Sequence, residues 1–261
     1  MIFRICFLQL IIILQSFNIV LSAQPVRNII AIAHRGAPGE YIDENSLSAI
    51  ESAIKSGFNE IEIDLRQTKD SFIVLLHDKT ISRTTNARGR VSEMLGFELF
   101  EVRLKKTDEK VPQFEDVLRL VDGRCKLLIE LKCGGSKNAG FEKKIVETIR
   151  SYNADEWCAI QSFNDRTLEN INKIDSSIAL YKIILAKFPL IPVIADKGFK
   201  IRTLKKYKFV NGYCFNYHFV SRSLIKKIHS LNKTIYVWTV NSDKKKKRLI
   251  EKGVDGIISD L

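Results

Sequence analysis

Residues 60–65 read Glu-Ile-Glu-Ile-Asp-Leu, and residues 126–132 read Lys-Leu-Leu-Ile-Glu-Leu-Lys. Both are short apolar runs that carry charge near their C-terminal ends. Side chains two apart on a strand share a face, so Glu62 and Asp64 point together, as do Glu130 and Lys132. Working outward, similar runs occur at 29–33, 158–162, 179–184, 212–215, 234–240 and 256–259, which makes eight. Stretches of helical spacing lie between them. Alternation of this kind argues for parallel strands joined by crossover helices. With 261 residues and no Pro/Gly/Ser-rich linker, the chain suits one α/β domain, a TIM-type (β/α)8 barrel, which typically needs about 250 residues.

The intervening segments keep an apolar face: Phe141, Ile145, Val146 and Ile149; Leu168, Ile171 and Ile174; Leu224, Ile225, Ile228 and Leu231. Asp165 and Ser242 stand where N-caps are expected, and Gly57 and Gly253 where a helix ends in a left-handed residue. Two stretches depart from the pattern. Residues 72–76 form a ninth strand-like run, separated from the second strand by only 68–71, which is too short for a crossover but right for a hairpin. A polar insertion at 79–112 follows, and Pro112 precedes a helix from about 113 to 121. Residues 187–198, with Pro189 and Pro192, read as a loop over the barrel mouth.

Apolar residues make up 45% and charged residues 28%, which favours neither a disordered chain nor a polytopic membrane protein. Residues 1–23 stand apart: one charge (Arg4), an apolar run, then Ser22 and Ala23. They read as a signal peptide for export, with an uncleaved anchor as the competing reading. Cleavage would remove Arg4 and Cys6, changing the net charge from +12 to +11 and leaving four cysteines. Cys125 and Cys158 would lie near the starts of neighbouring strands, where a bridge and two free thiols are equally good readings. Basic charge favours anionic partners in general. The densest run, Lys244 to Arg248, has no interleaved aromatics and opens a helix, so it reads as a solvated face and not as a nucleic-acid site. A membrane surface is compatible with this charge but not required by it.

In a (β/α)8 barrel the strand C-termini share one face, and active sites are built there. That rim would receive His34 and Arg35 from the first strand, Glu62 and Asp64 from the second, and Glu130 and Lys132 from the third. Three carboxylates suit one hard divalent cation, Mg²⁺ or Ca²⁺, better than zinc. A hairpin turn near Lys69 and Asp70 pairs residues whose numbers sum to about 139 or 140, which returns His77 to Glu62 or Ile63. His34 and His77 are therefore the candidate acid and base. His218 and His229 read as ordinary surface or core residues.

The ordered run Ala33-His34-Arg35-Gly36, Glu44-Asn45-Ser46, Glu62-Ile63-Asp64, His77-Asp78 and Glu130-Leu131-Lys132 resembles the glycerophosphodiester phosphodiesterases, whose pattern is H-R-G, E-N-T, E-x-D, H-D and E-x-K. Gln161-Ser162-Phe163, Trp238-Thr239-Val240-Asn241 and the stretch from Asp255 to Asp260 look like the family too. Ser46 and Ser259 stand where Thr is usual. The resemblance implies a TIM barrel with a small insertion after the second strand and a cation on Glu62, Asp64 and Glu130. It also implies acid–base roles for His34 and His77, and phosphate contacts from Arg35 and Lys132. Glu44 would support Arg35 or a histidine, although stabilising a helix N-terminus explains it equally well, and Trp238 would flank the head group or serve as a core aromatic. The implied reaction is hydrolysis of a small glycerophosphodiester to sn-glycerol 3-phosphate and an alcohol. The alternatives are a phospholipase D-like lyase releasing a cyclic phosphate and a barrel that binds phosphodiesters without cleaving them.

Overall fold

Alternation along the strands separates two apolar layers. In the computed structural model, which describes residues 29–132, 140–185, 204 and 206–260, β2 (Glu60–Gln67) is buried at every position. Its odd-numbered Ile61, Ile63 and Leu65 face outward into the main core, together with Leu127, Ile129 and Leu131. That leaves Glu60, Glu62 and Asp64 on the other face, toward the barrel interior, where Ile32, Leu128, Ile183, Cys214, Tyr236 and Ile258 cluster. The sequence thus places three acids inside the barrel on one strand.

β1 (Ile30–Ala33), β2, β4 (Lys126–Leu131), β5 (Cys158–Ser162), β6 (Ala179–Ile184), β7 (Gly212–Asn216), β8 (Thr234–Trp238) and β9 (Gly256–Ser259) pair in parallel, and β1 closes the ring by pairing with both β2 and β9. The helices around it are α1 (Leu47–Lys55), α3 (Phe114–Val121), α4 (Phe141–Ser151), α5 (Asp165–Ile174), α6 (Arg222–His229) and α7 (Asp243–Lys252). This is a TIM barrel. Each parallel pair buries both strand faces, which is why the strands read as near-continuous apolar runs.

β3 (Ile73–Leu75) runs antiparallel to β2 with Leu65 opposite Leu75, a sum of 140, as the hairpin reading requires. Beyond it, residues 79–112 include α2 (Gly96–Phe100) and pack a separate small core of Val74, Leu76, Ile81, Val91, Leu99, Val102, Leu104 and Val111. The insertion therefore holds itself together beside the barrel.

Three details differ from the expectations. Asn164, not Asp165, caps α5 by accepting from the Arg166 amide, while Asp165 accepts from Lys206 and the Tyr207 hydroxyl and pairs with Lys182. Ile174 ends α5 38% exposed, whereas Ile171, one turn earlier, is fully buried. Ser242 precedes α7 without a side-chain cap bond. Cys125 and Cys158 are buried free thiols, and burial pushes Cys125 up to about 11. The leader and the 187–198 loop lie outside the described residues, among which no helix is long and apolar enough to cross a membrane.

Glu60 gives a stability prediction. Burial pushes its carboxyl up to about 7, against the opposing pull of Lys126 and a hydrogen bond from Tyr236. A folded-state value above the unfolded one means the native state holds the proton more tightly. Stability is therefore lost as pH rises from about 4.5 to about 7. Glu60→Gln removes that dependence. Its melting temperature should match wild type near pH 5 and exceed it at pH 8, by the equivalent of roughly 1–3 kcal/mol. Equal melting temperatures at both pH values would refute it.

Candidate active site

The turn leaving β1 sets the first half of the site. Arg35, Gly36 and Ala37 take left-handed backbone angles (φ 52°, 82° and 54°) in succession. At Gly36 a Cβ would stand 2.8 Å from the Ala49 Cβ, so the turn lies directly on α1 and only glycine fits. Arg35 lacks that freedom and costs about 1–2 kcal/mol in this conformation. Two bonds hold it there: its amide donates to Glu62 Oε2 (3.1 Å), and its carbonyl accepts from the Asn45 amide (3.0 Å).

Glu62, Asp64 and Glu130 converge below this turn, each offering an oxygen within 4.8 Å of the others. All three are at most 7% exposed. Burial, then the neighbouring Asp64, pushes Glu62 up to about 8, and burial raises Glu130. Asp64 goes the other way, because Lys132 and Arg35 outweigh its burial. Lys132 Nζ lies 2.7 Å from Glu130 Oε1 and 3.1 Å from Asp64 Oδ1. Asp64 Oδ2 accepts from Asn45 Nδ2 and Asp64 Oδ1 is held by the Lys132 ammonium, yet Gln161 Oε1 is buried without a hydrogen bond among the described residues. Mutually repelling carboxylates with an unsatisfied buried oxygen fit a hard divalent cation, which accepts oxygen ligands only.

Each histidine is oriented through Nδ1 by an acid. His34 Nδ1 is 2.6 Å from Asp260 Oδ1, whose other oxygen accepts from Asn241 Nδ2. His77 Nδ1 is 2.8 Å from Asp78 Oδ1. Its carbonyl accepts from both Arg66 Nε (3.0 Å) and Arg66 Nη2, which fixes the chain as it leaves β3. With Nδ1 turned toward the carboxylate, Nε2 is the ring atom left for chemistry. The two environments differ. Burial would lower His34, but the bond to Asp260, with Glu62 adding, raises it. His77 is lowered by burial, with Lys132 and Arg35 reinforcing against Asp64.

A cleft of about 160 Å³ joins these groups, lined by His34, Arg35, Glu62, His77, Glu130 and Lys132, with Gln161, Phe163 and Trp238 on the far wall. Trp238 meets Phe163 edge to face at 6.0 Å, and its indole Nε1 is buried without a hydrogen bond among the described residues. Asp64 sits beneath the floor, and Glu44 lies behind Arg35, accepting from its Nη1 at 3.0 Å. Trp238 is packed against Phe163 and also faces the cleft. His218 lies exposed against Tyr217, and His229 bonds Asp255, both away from the cleft.

Sequence reasoning left Asp260, Asp78, Arg83, Asn45 and Gln161 off the site. Asp260 was within reach: β1 pairs with β9 so that Ala33 faces Ser259, which sets the next residues, His34 and Asp260, side by side. Arg83 had no such signal, because it enters from the insertion. Its guanidinium donates to both oxygens of Glu44 (2.6 and 2.8 Å) and to Asp78 Oδ2 (2.5 Å). It thereby ties the partner of Arg35 to the partner of His77. Arg83→Ala should lower kcat about tenfold, with Arg83→Lys recovering only part, because the ammonium lacks the fork that grips two carboxylates. An unchanged kcat in both variants would show that the network is only a surface feature.

The family model described as the glycerophosphoryl diester phosphodiesterase family matches residues 34–261. Among curated proteins, the glycerophosphodiester phosphodiesterase of Bacillus altitudinis is 30% identical over 244 residues, covering 88% of this chain and 93% of that one. A protein of the same name from Caldanaerobacter subterraneus is 29% identical, with the same two coverages. The chain also resembles a human lysophospholipase D at 22% identity. Among solved structures, a Parabacteroides distasonis glycerophosphodiester phosphodiesterase superimposes with a TM-score of 0.77 at 23% identity, over 90% of this chain and 94% of that one. An Oleispira antarctica phosphodiesterase in complex with the product sn-glycerol-3-phosphate gives 0.73 at 22%, over 88% and 92%. Those two likenesses concern the fold.

Proposed function

The chain belongs to the glycerophosphoryl diester phosphodiesterase family, phosphoric diester hydrolases, and from that premise we propose a metal-dependent, two-histidine hydrolysis of small glycerophosphodiesters to sn-glycerol 3-phosphate and a free alcohol. The observation that supports it best is the cleft itself, where two acid-oriented histidines face three converging buried carboxylates.

A phosphodiester is anionic and repels nucleophiles, so the site must gather positive charge around the phosphoryl oxygens. Arg35 and Lys132 supply it from the chain, the guanidinium as a fork and the ammonium as a point charge. A Mg²⁺ or Ca²⁺ ion held by Glu62, Asp64 and Glu130 would add Lewis-acid polarisation of the same oxygens. The opposite shifts of the two rings divide their work. His77, whose pKa is lowered by burial, takes the proton from the attacking water or from the substrate's neighbouring hydroxyl. His34, whose pKa is raised by the bond to Asp260, gives a proton to the departing alcohol. Trp238 and Phe163 form an aromatic wall for the alcohol's head group. The leader at 1–23 is proposed to export the enzyme.

The test is incubation of the protein with glycerophosphocholine and Mg²⁺ or Ca²⁺, read by choline release and phosphorus NMR. Free choline with glycerol 3-phosphate supports the proposal. Choline with a persistent cyclic phosphate points to the lyase reading, which the likeness to a lysophospholipase D keeps in view. No release from a panel of glycerophosphodiesters with either ion would leave a binding barrel.

A further inference from the structure

Eight of the chain's twelve net positive charges fall within residues 222–252, which hold ten Lys or Arg against two Asp or Glu. Seven of the ten are exposed on two consecutive helices. α6 buries Leu224, Ile225 and Ile228 and leaves Arg222, Lys226 and Lys227 exposed. α7 buries Leu249 alone, and Lys244, Lys245, Lys247 and Arg248 are exposed. Lys252 Nζ donates to the Val220 carbonyl at 2.9 Å, fastening the end of α7 to the turn before α6, so the two basic faces adjoin.

This charge is not balanced within the molecule. Lys226, Lys227, Lys244, Lys247 and Arg248 form no ion pair with a described residue. Lys244 stands three and four positions before Lys247 and Arg248, spacings at which like charges weaken a helix. The helix keeps the repulsion although one buried leucine is most of its own anchorage. The face also joins the mouth of the cleft. Lys245 Nζ bonds the Tyr217 hydroxyl at 2.8 Å, on the turn that follows β7, and Trp238 and Thr239 of the cleft wall lead directly into α7.

We propose that the α6–α7 face docks the enzyme on an anionic phospholipid surface. Charge complementarity commits it to that partner. Two helices presenting solvated ammonium and guanidinium groups match a plane of lipid phosphates and carboxylates. Neither helix carries a Phe, Tyr or Trp to interleave with its cations and stack nucleic-acid bases. Ile250, 44% exposed on the flank of the same helix, offers a shallow apolar contact. Docking there would set the cleft mouth at the edge of the membrane contact.

The test is independent of the chemistry in the cleft. The full chain and its Lys244→Gln/Lys247→Gln/Arg248→Gln variant are floated with vesicles of phosphatidylcholine alone, or with phosphatidylserine added. Near an anionic surface each basic residue raises partitioning about fivefold, so the variant should bind the mixed vesicles about a hundredfold less than wild type. Raising the salt should weaken wild type toward the variant. The leader is the same in both proteins, so the comparison of wild type with the variant is independent of it. Equal wild-type binding to both vesicle types, or equal binding by the variant, would overturn the proposal. So would retention on an oligonucleotide with none on vesicles. If the variant melts lower than wild type, Lys226→Gln/Lys227→Gln on α6 provides the same comparison.

Discussion

His34→Ala is expected to lower kcat on glycerophosphocholine by two to four orders of magnitude while changing KM little, and His77→Ala should do the same. Neither ring is needed to hold the substrate's charge, because Arg35 and Lys132 stand beside them in the cleft. What disappears is proton transfer in the transition state. The two variants should differ in their substrates. A substrate whose departing alcohol is already acidic, such as a nitrophenyl ester, needs no proton from His34. His34→Ala should therefore recover most of its rate on such a diester, whereas His77→Ala should not. Equal recovery in both would reverse or abolish the assignment of acid and base. The pH profile is a second check. Wild-type kcat/KM should be bell-shaped, with the acidic limb from protonation of His77 and the alkaline limb from deprotonation of His34, and each alanine variant should lose its own limb.

The reach of sequence reasoning here follows the strands. Period-two alternation placed Glu62 with Asp64 and Glu130 with Lys132, and a hairpin sum of 140 returned His77 to β2, because strand geometry leaves little freedom. Asp260 lies 226 residues from His34 and needed one more step, the closing pair β1–β9. Arg83 was beyond that reasoning, since its position depends on how the insertion packs Ile81 and Val91 into its own small core, and packing has no short-range signature. The N-cap at Asn164 was missed for a related reason. Asp165 is as good a cap by type, but Lys206, Tyr207 and Lys182, all from later in the chain, draw its carboxylate away.

The carboxylate cluster sets stability against function, and Glu62→Gln separates the two. Without a cation, the three buried acids repel one another and Glu62 shares its burial with Asp64 and Glu130. An amide of the same shape removes one charge, can still accept from the Arg35 amide through its oxygen, and can donate to Gln161 Oε1 once Gln161 turns its own amide. In EDTA at pH 8 the variant should therefore melt above wild type, by the equivalent of about 2 kcal/mol. Adding Mg²⁺ or Ca²⁺ should reverse the order. Wild type gains stability by mass action as the ion binds the folded state, while the variant, with a neutral oxygen in place of an anionic ligand, gains little. Its hydrolysis should fall by at least about two orders of magnitude under the same conditions, because the lost ligand weakens the charge available to the phosphoryl oxygens. The melting experiment does not depend on turnover, so the cation site is tested even if the substrate has been misjudged. A wild-type melting temperature indifferent to both ions, or a variant stabilised by them as strongly as wild type, would mean that Lys132 and Arg35 alone neutralise these acids.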